Sequence, residues 1–543
     1  MSRAHRAGLA AAAILLAAVS AGAQFPPPAA WRCQARLLWA PDAPRRLRVR
    51  LRLFAPPGAR RLSFRLAPGF QLLALRRQGQ AVPLPPPGNG LYRLQLAASP
   101  AAPSSRNPPA LQLDYAGILS PSVQAGREGL VLRRRNWLPR FAPRLLFAAA
   151  LRLQLPAGWK LFTRGQQVSA SNDGWQNWTD SQPGYDWRIV LAPRLQSWEQ
   201  QVPGAVLVSA GDAALPPAAR ASLRRLGRDL LAAYSSFATR YGRPRPLWMM
   251  RLWVVSAPAC RAGGDAGLLW VSSACLMPPP APPGGDPDAS GAAGGDPPLA
   301  VELKLTRRLA AYWWRAPQWR RFRWLRRGGE LQMALVALRR FRGRRARWQA
   351  LALLQALARQ ARRPLLPSNP PPRLTRFQAA RAALVLNALR LEIGPFLFRR
   401  LLAAAVAAPA AGAASGGPPA DPPLAAPPAP RFWLARLSRF TGARWGWFWR
   451  QWLTSSRLPL IQFGWRRVRL PLSGPAVQLW VRQPRLPFTF RAPILIRTTA
   501  GRVYWQAIAV HNRSTILAVP VPGRVLQVSF DPHRELPRAA PAR

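Results

Sequence analysis

The segment from residue 301 to residue 342 constrains the fold of this chain more than any other stretch, because two patterns of helical period follow each other closely in it. In the first, apolar or small residues lie at Leu303, Leu305, Leu309, Ala310 and Trp313. In the second, they lie at Trp324, Leu331, Leu335 and Leu338. Spacings of three and four predict helices rather than strands. We therefore predict two helices joined by a short link.

Two stretches of this segment resemble the signature of the zinc aminopeptidases of the membrane alanyl aminopeptidase and leukotriene hydrolase type, a gluzincin family. That signature is H-E-x-x-H-x-W-W, followed on the next helix by W-L-N-E-G. Here residues 307–314 read RRLAAYWW, and residues 324–328 read WLRRG. The tryptophans, the leucine and the glycine match, whereas every position that would hold or activate zinc differs.

The resemblance aligns five positions of this chain with functional residues of the family. The two ligand histidines fall on Arg307 and Ala311, the general-base glutamate on Arg308, the third ligand on Arg327, and the tyrosine that stabilises the tetrahedral intermediate on Ala379. Arginine stays protonated and offers a metal no lone pair, and alanine has no donor at all. We therefore expect no metal, no other cofactor and no catalytic residue. The arginines would instead favour carboxylates or phosphates in the former cleft.

The whole chain predicts a multidomain α+β protein. Apolar and basic residues alternate in segments such as RLRVRLRLF (46–54) and LRLQLPAGWK (151–160). This pattern is typical of strands with one face exposed to solvent. We predict a signal peptide at residues 1–23, and the resemblance implies an N-terminal β-sandwich (24–205), a mainly helical thermolysin-like domain (206–453) and a small C-terminal β-sandwich (454–543). Stretches 277–298 and 408–430 are rich in Pro and Gly and predict disordered loops.

Three further patterns lie in the central domain. Where the family has an edge strand with an amine-binding glutamate, residues 262–270 have none; Asp265 either replaces it or belongs to a Gly-Asp turn. Residues 377–405 predict one long helix. Residues 431–453 predict a closing helix, whose aromatic side chains either stack on nucleic acid or pack in the core.

The N-terminus is typical of a secretory signal, with Arg3 and Arg6 before an apolar run and Ala21-Gly22-Ala23 after it. Cleavage after Ala23 would give a periplasmic or secreted protein, and retention would give an anchor. No later uncharged apolar stretch is long enough to span a membrane. In an exported chain we expect Cys260 and Cys275 to form a disulfide; the alternative is three buried thiols.

The charge is strongly unbalanced, with 79 basic and 19 acidic residues. The only lysines are Lys160 and Lys304, and Arg accompanies abundant Ala, Pro and Gly, as codon bias in a GC-rich gene would produce. The alternative is selection for polyanions such as anionic envelope polymers. The basic residues are dispersed along the sequence and no nucleic-acid module is present, so we expect no specific nucleic-acid partner.

These observations leave three functions open. The first is a catalytically inactive homologue that binds a peptide or protein partner in the former cleft. The second is an active metallo-aminopeptidase with an unconventional site, although the only histidines beyond His5 are His511 and His533, and neither is spaced with a second ligand. The third is a basic surface protein that binds anionic envelope polymers. No P-loop or G-x-S-x-G motif offers other chemistry.

Overall fold

The computed structural model of this chain describes most residues between 31 and 539. The described ranges are 31–39, 46–54, 61–77, 79–84, 91–96, 111–120, 125–126, 129–132, 137–142, 147–155, 157–163, 166–170, 175–184, 189–203, 205–242, 249–255, 259–265, 268–277, 298–314, 322–366, 374–407, 437–439, 441–443, 445–471 and 474–539. The predicted signal segment and the loop at 408–430 lie outside the described residues, as does the loop at 277–298 apart from its two end residues.

The N-terminal part of the chain consists of strands. They are β1 (Trp31–Trp39), β2 (Arg46–Phe54), β3 (Arg61–Arg65), β4 (Phe70–Arg77), β5 (Gln80–Val82), β6 (Leu91–Gln95), β7 (Leu111–Ile118), β8 (Ala125–Gly126), β9 (Gly129–Leu132), β10 (Arg140–Ala142), β11 (Phe147–Gln154), β12 (Lys160–Thr163), β13 (Gln166–Ala170), β14 (Trp175–Gly184) and β15 (Ile189–Ala192). An eight-stranded sheet has the order β13-β14-β11-β1-β2-β7-β4-β5. Two smaller sheets have the orders β10-β3-β6 and β12-β15-β9-β8.

Strand β2 shows why this region folds as a sheet. Its leucines and valine are buried, and its arginines at alternate positions are exposed. Successive side chains of a strand point to opposite faces, so one face enters the core and the other stays in water. The arginines at alternate positions of β2 therefore lie together on the solvent-exposed face of the eight-stranded sheet.

A second, five-stranded sheet begins the central part, with strands β16 (Leu195–Val202), β17 (Ala205–Asp212), β18 (Met249–Val255), β19 (Ala262–Asp265) and β20 (Leu268–Ser272) in the order β16-β17-β18-β20-β19. Strands β16 and β17 form an antiparallel hairpin. Residues 205 and 206, between which we predict a domain boundary, are the first two residues of β17. The short strand β19 lies at the edge of the sheet.

The helices pack against this sheet and against one another. They are α1 (Pro217–Tyr241), α2 (Leu299–Ala310), α3 (Arg323–Phe341), α4 (Gly343–Ala358), α5 (Arg376–Ala407) and α6 (Gly446–Trp449), with a 3-10 turn at Ser273–Cys275 and a π-helical turn at Arg450–Thr454. The two helices predicted in segment 301–342 are α2 and α3. No helix in the described part of the chain is long and apolar enough to cross a membrane.

Two predictions about these helices were wrong in detail. The single helix predicted over 377–405 is broken at Gly394, whose φ of 81° lies outside the helical region, and Pro395 follows it without a backbone N–H. Among its described residues, the closing helix predicted over 431–453 is helical at 437–439 and from 446 onward, and it is interrupted at Gly442, whose φ is 69°. The side chains of Phe448, Trp449 and Trp452 are buried in the core. This favours the interpretation that they pack in the core over the alternative that they stack on nucleic acid.

Six strands follow: β21 (Gln462–Leu470), β22 (Gly474–Arg482), β23 (Phe490–Thr498), β24 (Val503–Val510), β25 (Ser514–Pro520) and β26 (Val525–Phe530). They form two three-stranded sheets, β21-β22-β25 and β24-β23-β26. Inward residues of both sheets share one hydrophobic cluster with the helices. Glu535 extends this contact, because its carboxylate accepts hydrogen bonds from Arg347 of α4 (2.7 Å) and Arg390 of α5 (2.8 Å).

Candidate functional site

The five positions singled out by the resemblance lie on three neighbouring helices. Arg307 and Arg308 are in the last turn of α2, and Ala311 follows directly with helical backbone angles (φ −58°, ψ −15°). Positions 307 and 311 therefore share a helix face, as two zinc ligands would need. Arg327 lies near the start of α3. Ala379 is buried on α5 in a cluster that includes Leu331 of α3.

Three guanidinium groups and one carboxylate act on the guanidinium group of Arg307. The charges that act on Arg307 are those of Arg308, Arg326, Arg327 and Glu330. We call these five residues the arginine site. Burial, followed by the charge of Arg308, lowers the pKa of Arg307 to about 10, and Glu330 opposes this change. Arg307 is therefore still protonated at neutral pH.

Glu330 is the fully buried centre of the arginine site. Arg326 donates from Nε to its Oε1 over 3.0 Å, and Arg327 donates from Nη1 to its Oε2 over 2.9 Å. The two arginine side chains are 30% and 31% exposed, so each reaches from solvent to a carboxylate that has no solvent contact of its own. Glu330 follows Arg326 by four residues and Arg327 by three, which are the spacings at which acidic and basic side chains pair on a helix.

The arginine site does not fit a zinc ion. Zinc requires thiolate, neutral imidazole or carboxylate donors, and the positions that would supply them carry two arginines and an alanine. The remaining carboxylate, Glu330, is saturated by two guanidinium groups. Within the described ranges, no group of three or more His, Cys, Asp or Glu side chains is arranged to hold a metal ion. His511 and His533 both lie beyond the helices, and His533 stacks on Trp348 of α4 (3.7 Å between ring centroids).

The tryptophans that match the family signature position the arginine site. Trp313 donates its indole N–H to the carbonyl of Gly242 over 2.7 Å, which ties the end of α2 to the end of α1. Trp314 is fully buried and donates to the sulfur of Met333 on α3. The ring of Trp324 packs edge-on against Trp449, 5.4 Å away. These residues hold α2 and α3 in place without taking part in metal chemistry.

Two glycines at the start of α3 allow its close packing. A Cβ at Gly328 would lie 3.0 Å from the backbone of Ala382 on α5, and a Cβ at Gly329 would lie 2.1 Å from the ring of Trp314. A side chain at either position would push apart the helices that carry the arginine site. The retained glycine of the WLRRG stretch therefore has a packing function.

Arg381 is a fully buried arginine of α5 whose role the sequence did not indicate. Its guanidinium donates to the carbonyl oxygens of Ser455 (2.6 Å), Ser456 (2.6 Å) and Arg457 (2.9 Å). Burial lowers its pKa to about 10. Arg381 thus fastens α5 to the chain that leads into the C-terminal sheets, and it is structural. Arg326 was likewise missed, although its spacing of four from Glu330 was a usable signal.

The edge strand β19 lies beside α2 and ends at a disulfide. Cys260 and Cys275 are bonded, and they join the residues before β19 to those after β20. Cys33 is buried in the N-terminal sheet. Asp265 is the last residue of β19, opposite Leu268 at the end of a hairpin. Gly264 and Asp265 are thus paired strand residues that precede the connection to β20.

Comparison with solved structures identifies the class of fold. A mutant M1 zinc metallopeptidase from Deinococcus radiodurans is 17% identical, with a TM-score of 0.53, over 79% of this chain and 94% of that one. Aminopeptidase A from Legionella pneumophila, in complex with aspartic acid, is 13% identical, with a TM-score of 0.59, over 94% of this chain and 59% of that one. No protein-family model and no curated protein matches the sequence. The fold is therefore that of the M1 zinc metallopeptidases, which agrees with the resemblance seen in the sequence.

Proposed function

We propose that this chain is an exported, catalytically inactive homologue of the zinc aminopeptidases, and that it binds a peptide or a partner protein at the arginine site. The central part would be thermolysin-like, between a β-sandwich on either side. One observation carries the proposal: at the positions that correspond to the family's zinc site, Arg326 and Arg327 pair with the buried carboxylate of Glu330, and the charges of all three residues and of Arg308 act on Arg307. Such a site favours a ligand that brings a carboxylate or a phosphate, because guanidinium binds these groups in a bidentate manner.

The strand β19 supports a peptide as the ligand. It lies at the edge of its sheet, so its outer backbone groups are not used by a neighbouring strand of that sheet. An extended peptide can add to such an edge through main-chain hydrogen bonds. The helix α2, which carries Arg307 and Arg308, is adjacent to β19. A peptide on β19 would then present an acidic group to the arginines.

Export is supported by two independent features. The sequence begins with a segment typical of a secretory signal, and Cys260 and Cys275 form a disulfide. Disulfides persist mainly in oxidising compartments such as the periplasm and the extracellular space. A periplasmic or secreted location is therefore part of the proposal.

Metal content is the first test of inactivity. The purified mature protein is exposed to zinc, dialysed extensively and analysed by elemental mass spectrometry, and we expect no retained zinc. The matched control is the variant Arg307→His, Arg308→Glu, Ala311→His and Arg327→Glu, which restores the family signature on the same helices. We expect this variant to retain zinc, because two imidazoles at i and i+4 then converge with a carboxylate from α3. Near-stoichiometric zinc in the unmodified protein would overturn the proposal and favour an active metallo-aminopeptidase.

Binding of an acidic peptide tests the arginine site. The probe is tri-aspartate, measured by calorimetry against the unmodified protein and against Arg307→Gln/Arg308→Gln. The control is Arg339→Gln/Arg340→Gln, which removes the same charge from exposed positions in the last turn of α3. We expect the first variant to weaken binding by about tenfold or more and the control to leave it nearly unchanged, because only the first removes charge-assisted contacts. If both variants weakened binding equally, the loss would come from the change in net charge and not from the arginine site, and the proposal would be wrong.

A further inference from the structure

The outer face of the eight-stranded sheet carries seven arginines on four of its strands. The array consists of Arg36 on β1, Arg46, Arg48, Arg50 and Arg52 on β2, Arg76 on β4 and Arg152 on β11, and all seven are exposed. We call it the arginine face. The inward residues that alternate with those of β2 are Leu47, Val49, Leu51 and Leu53, each at most 2% exposed. Strand alternation therefore fixes these arginines on the solvent side.

The register of the strands brings three of these arginines into one row. Arg36 lies directly opposite Arg50 on one side and opposite Arg152 on the other. Like charges directly across a sheet destabilise it. Two contacts offset part of the repulsion within this row. Arg50 donates to Asp114 over 2.8 Å, and the guanidinium groups of Arg36 and Arg152 lie 4.4 and 4.8 Å from the ring centre of Trp175.

Negative charge is almost absent from the arginine face. Among the described outward-facing residues of the eight-stranded sheet, Asp114 is the only acidic side chain, and it is largely buried beside Arg50. The arginines repeat along β2 about every 6.8 Å, and neighbouring strands are about 4.8 Å apart. Positive charge at this density attracts an anion that itself repeats, such as a polyanionic polymer.

The shape of the face and its aromatic content favour one class of polymer. Adjacent strands twist by about 20–25°, so the five strands from β11 to β4 turn through about 80–100°, which suits a flexible chain better than a planar bilayer. Single-stranded nucleic acid is held by bases stacked on exposed aromatic rings. Trp175 is only 6% exposed, because Arg36 and Arg152 cover its ring. Its ring is therefore not open to a stacking base.

We propose that the arginine face binds a linear anionic polysaccharide that carries carboxylate groups along its length. The guanidinium groups contact these carboxylates in rows, and the bound polymer removes the repulsion between Arg50, Arg36 and Arg152. This surface does not include Arg307 or Arg308, and it is independent of the arginine site. Binding of the polysaccharide and of an acidic peptide can therefore succeed or fail separately.

The test uses polygalacturonate as the probe, with the full mature protein and a surface-binding assay at about 0.1 M salt, where charges act over about 10 Å. The test variant exchanges Arg36, Arg48, Arg52 and Arg152 for glutamine. It leaves Arg50 in place, so that Asp114 keeps its partner. We expect this variant to bind at least about tenfold more weakly and with a shallower dependence on salt. Circular dichroism and the thermal midpoint verify that it folds.

The matched control removes the same charge elsewhere. It exchanges the exposed residues Arg224, Arg228, Arg344 and Arg345, on α1 and α4, for glutamine. We expect its affinity for polygalacturonate to stay within about threefold of the original, because the charges on α1 and α4 do not contact the polymer. Exchange of the four test positions for lysine should restore part of the affinity, because lysine keeps the charge and loses the bidentate contact.

Three results would overturn the proposal. The first is that the unmodified protein fails to bind polygalacturonate, and the second is that test and control variants lose affinity equally. The third is that single-stranded DNA, or vesicles of anionic phospholipid, bind more tightly than polygalacturonate and lose this binding in the test variant. That result would assign the face to nucleic acid or to a membrane. The variant Arg307→Gln/Arg308→Gln should bind the polysaccharide unchanged.

Discussion

Replacement of Arg381 by methionine should destabilise the protein markedly. The side chain is completely buried, and its guanidinium donates three hydrogen bonds to the carbonyls of residues 455–457. Methionine has a similar length and is apolar, so it fills most of the space but leaves three carbonyl oxygens without their donor. The connection between α5 and the chain entering the C-terminal sheets would be lost.

The expected magnitude follows from two opposing contributions. A hydrogen bond that involves a charged group stabilises by about 1.5–3 kcal/mol, so three of them contribute roughly 4.5–9 kcal/mol. Burial lowers the pKa of Arg381 from 12.5 to about 10, and at about 1.4 kcal/mol per pKa unit this costs roughly 3.5 kcal/mol. The difference between the two contributions is about 1–5 kcal/mol, and we expect Arg381→Met to lower the free energy of unfolding by this amount.

Denaturant unfolding monitored by tryptophan fluorescence measures this effect, because Trp449 and Trp452 lie close to residues 455–457 in the sequence. Arg376→Met is the matched control: Arg376 begins the same helix and is exposed, and its exchange should change stability by less than about 0.5 kcal/mol. The loss of stability in Arg381→Lys should lie between those of Arg381→Met and Arg376→Met. One ammonium group keeps the charge but cannot bond to all three carbonyls as the planar guanidinium does. An unchanged midpoint for Arg381→Met would refute the structural role of this arginine.

Three further predictions concern packing, pH and the disulfide. Gly329→Ala should destabilise the protein by about 1–3 kcal/mol or more in thermal unfolding, because the new Cβ would lie 2.1 Å from the buried ring of Trp314. Burial raises the pKa of Asp531 to about 7; the folded state therefore holds a proton that the unfolded chain loses near pH 4, and stability should fall as pH rises from about 4 to 7 and then stay level. Exchange of Cys260 and Cys275 for serine should cost about 3 kcal/mol, as expected for a closed loop of 15 residues, measured by denaturant unfolding.

Each of these predictions has a control. Gly446→Ala should be neutral or slightly stabilising, because a Cβ there would meet no atom within 4 Å. Asp531→Asn should abolish the fall in stability between about pH 4 and 7, and a decline that persists in this variant would assign it to another group. For the disulfide, dithiothreitol should lower the unfolding midpoint of the original protein and leave that of the serine variant unchanged; an equal shift in both would contradict the prediction.

The sequence predicted the elements whose periodicity is strong. The alternation in β2 and the spacing of leucines in α2 and α3 gave the correct type of structure, because burial of one face dictates both patterns. The strand β25 was not predicted, since its exposed apolar residues Ile516 and Leu517 interrupt the alternation that marks a strand. The break at Gly394 was also missed: a helical pattern on both sides of one glycine hides a backbone angle that only three-dimensional packing requires.

The candidate site was predictable in position but not in its interactions. The resemblance located Arg307 and Arg327, and the spacing from residue 327 to residue 330 indicated the ion pair of Glu330. Sequence could not show that Glu330 has no solvent contact, because its burial depends on how α2, α3 and α5 pack together. The arginine face was likewise hidden, since Arg36 and Arg152 are far apart along the chain and become neighbours only through the pairing of β1 with β11.

The contact of Glu535 with the helices has a consequence for synthesis of the chain. Its partners Arg347 and Arg390 precede it by 188 and 145 residues. At about 5–20 residues per second, roughly 10–40 s separate the appearance of Arg347 from that of Glu535. During this interval both guanidinium groups lack the carboxylate that balances their charge in the folded protein. The central helices and the C-terminal sheets should therefore complete their folding together, so that a nascent chain stalled before residue 535 stays sensitive to protease along α4 and α5.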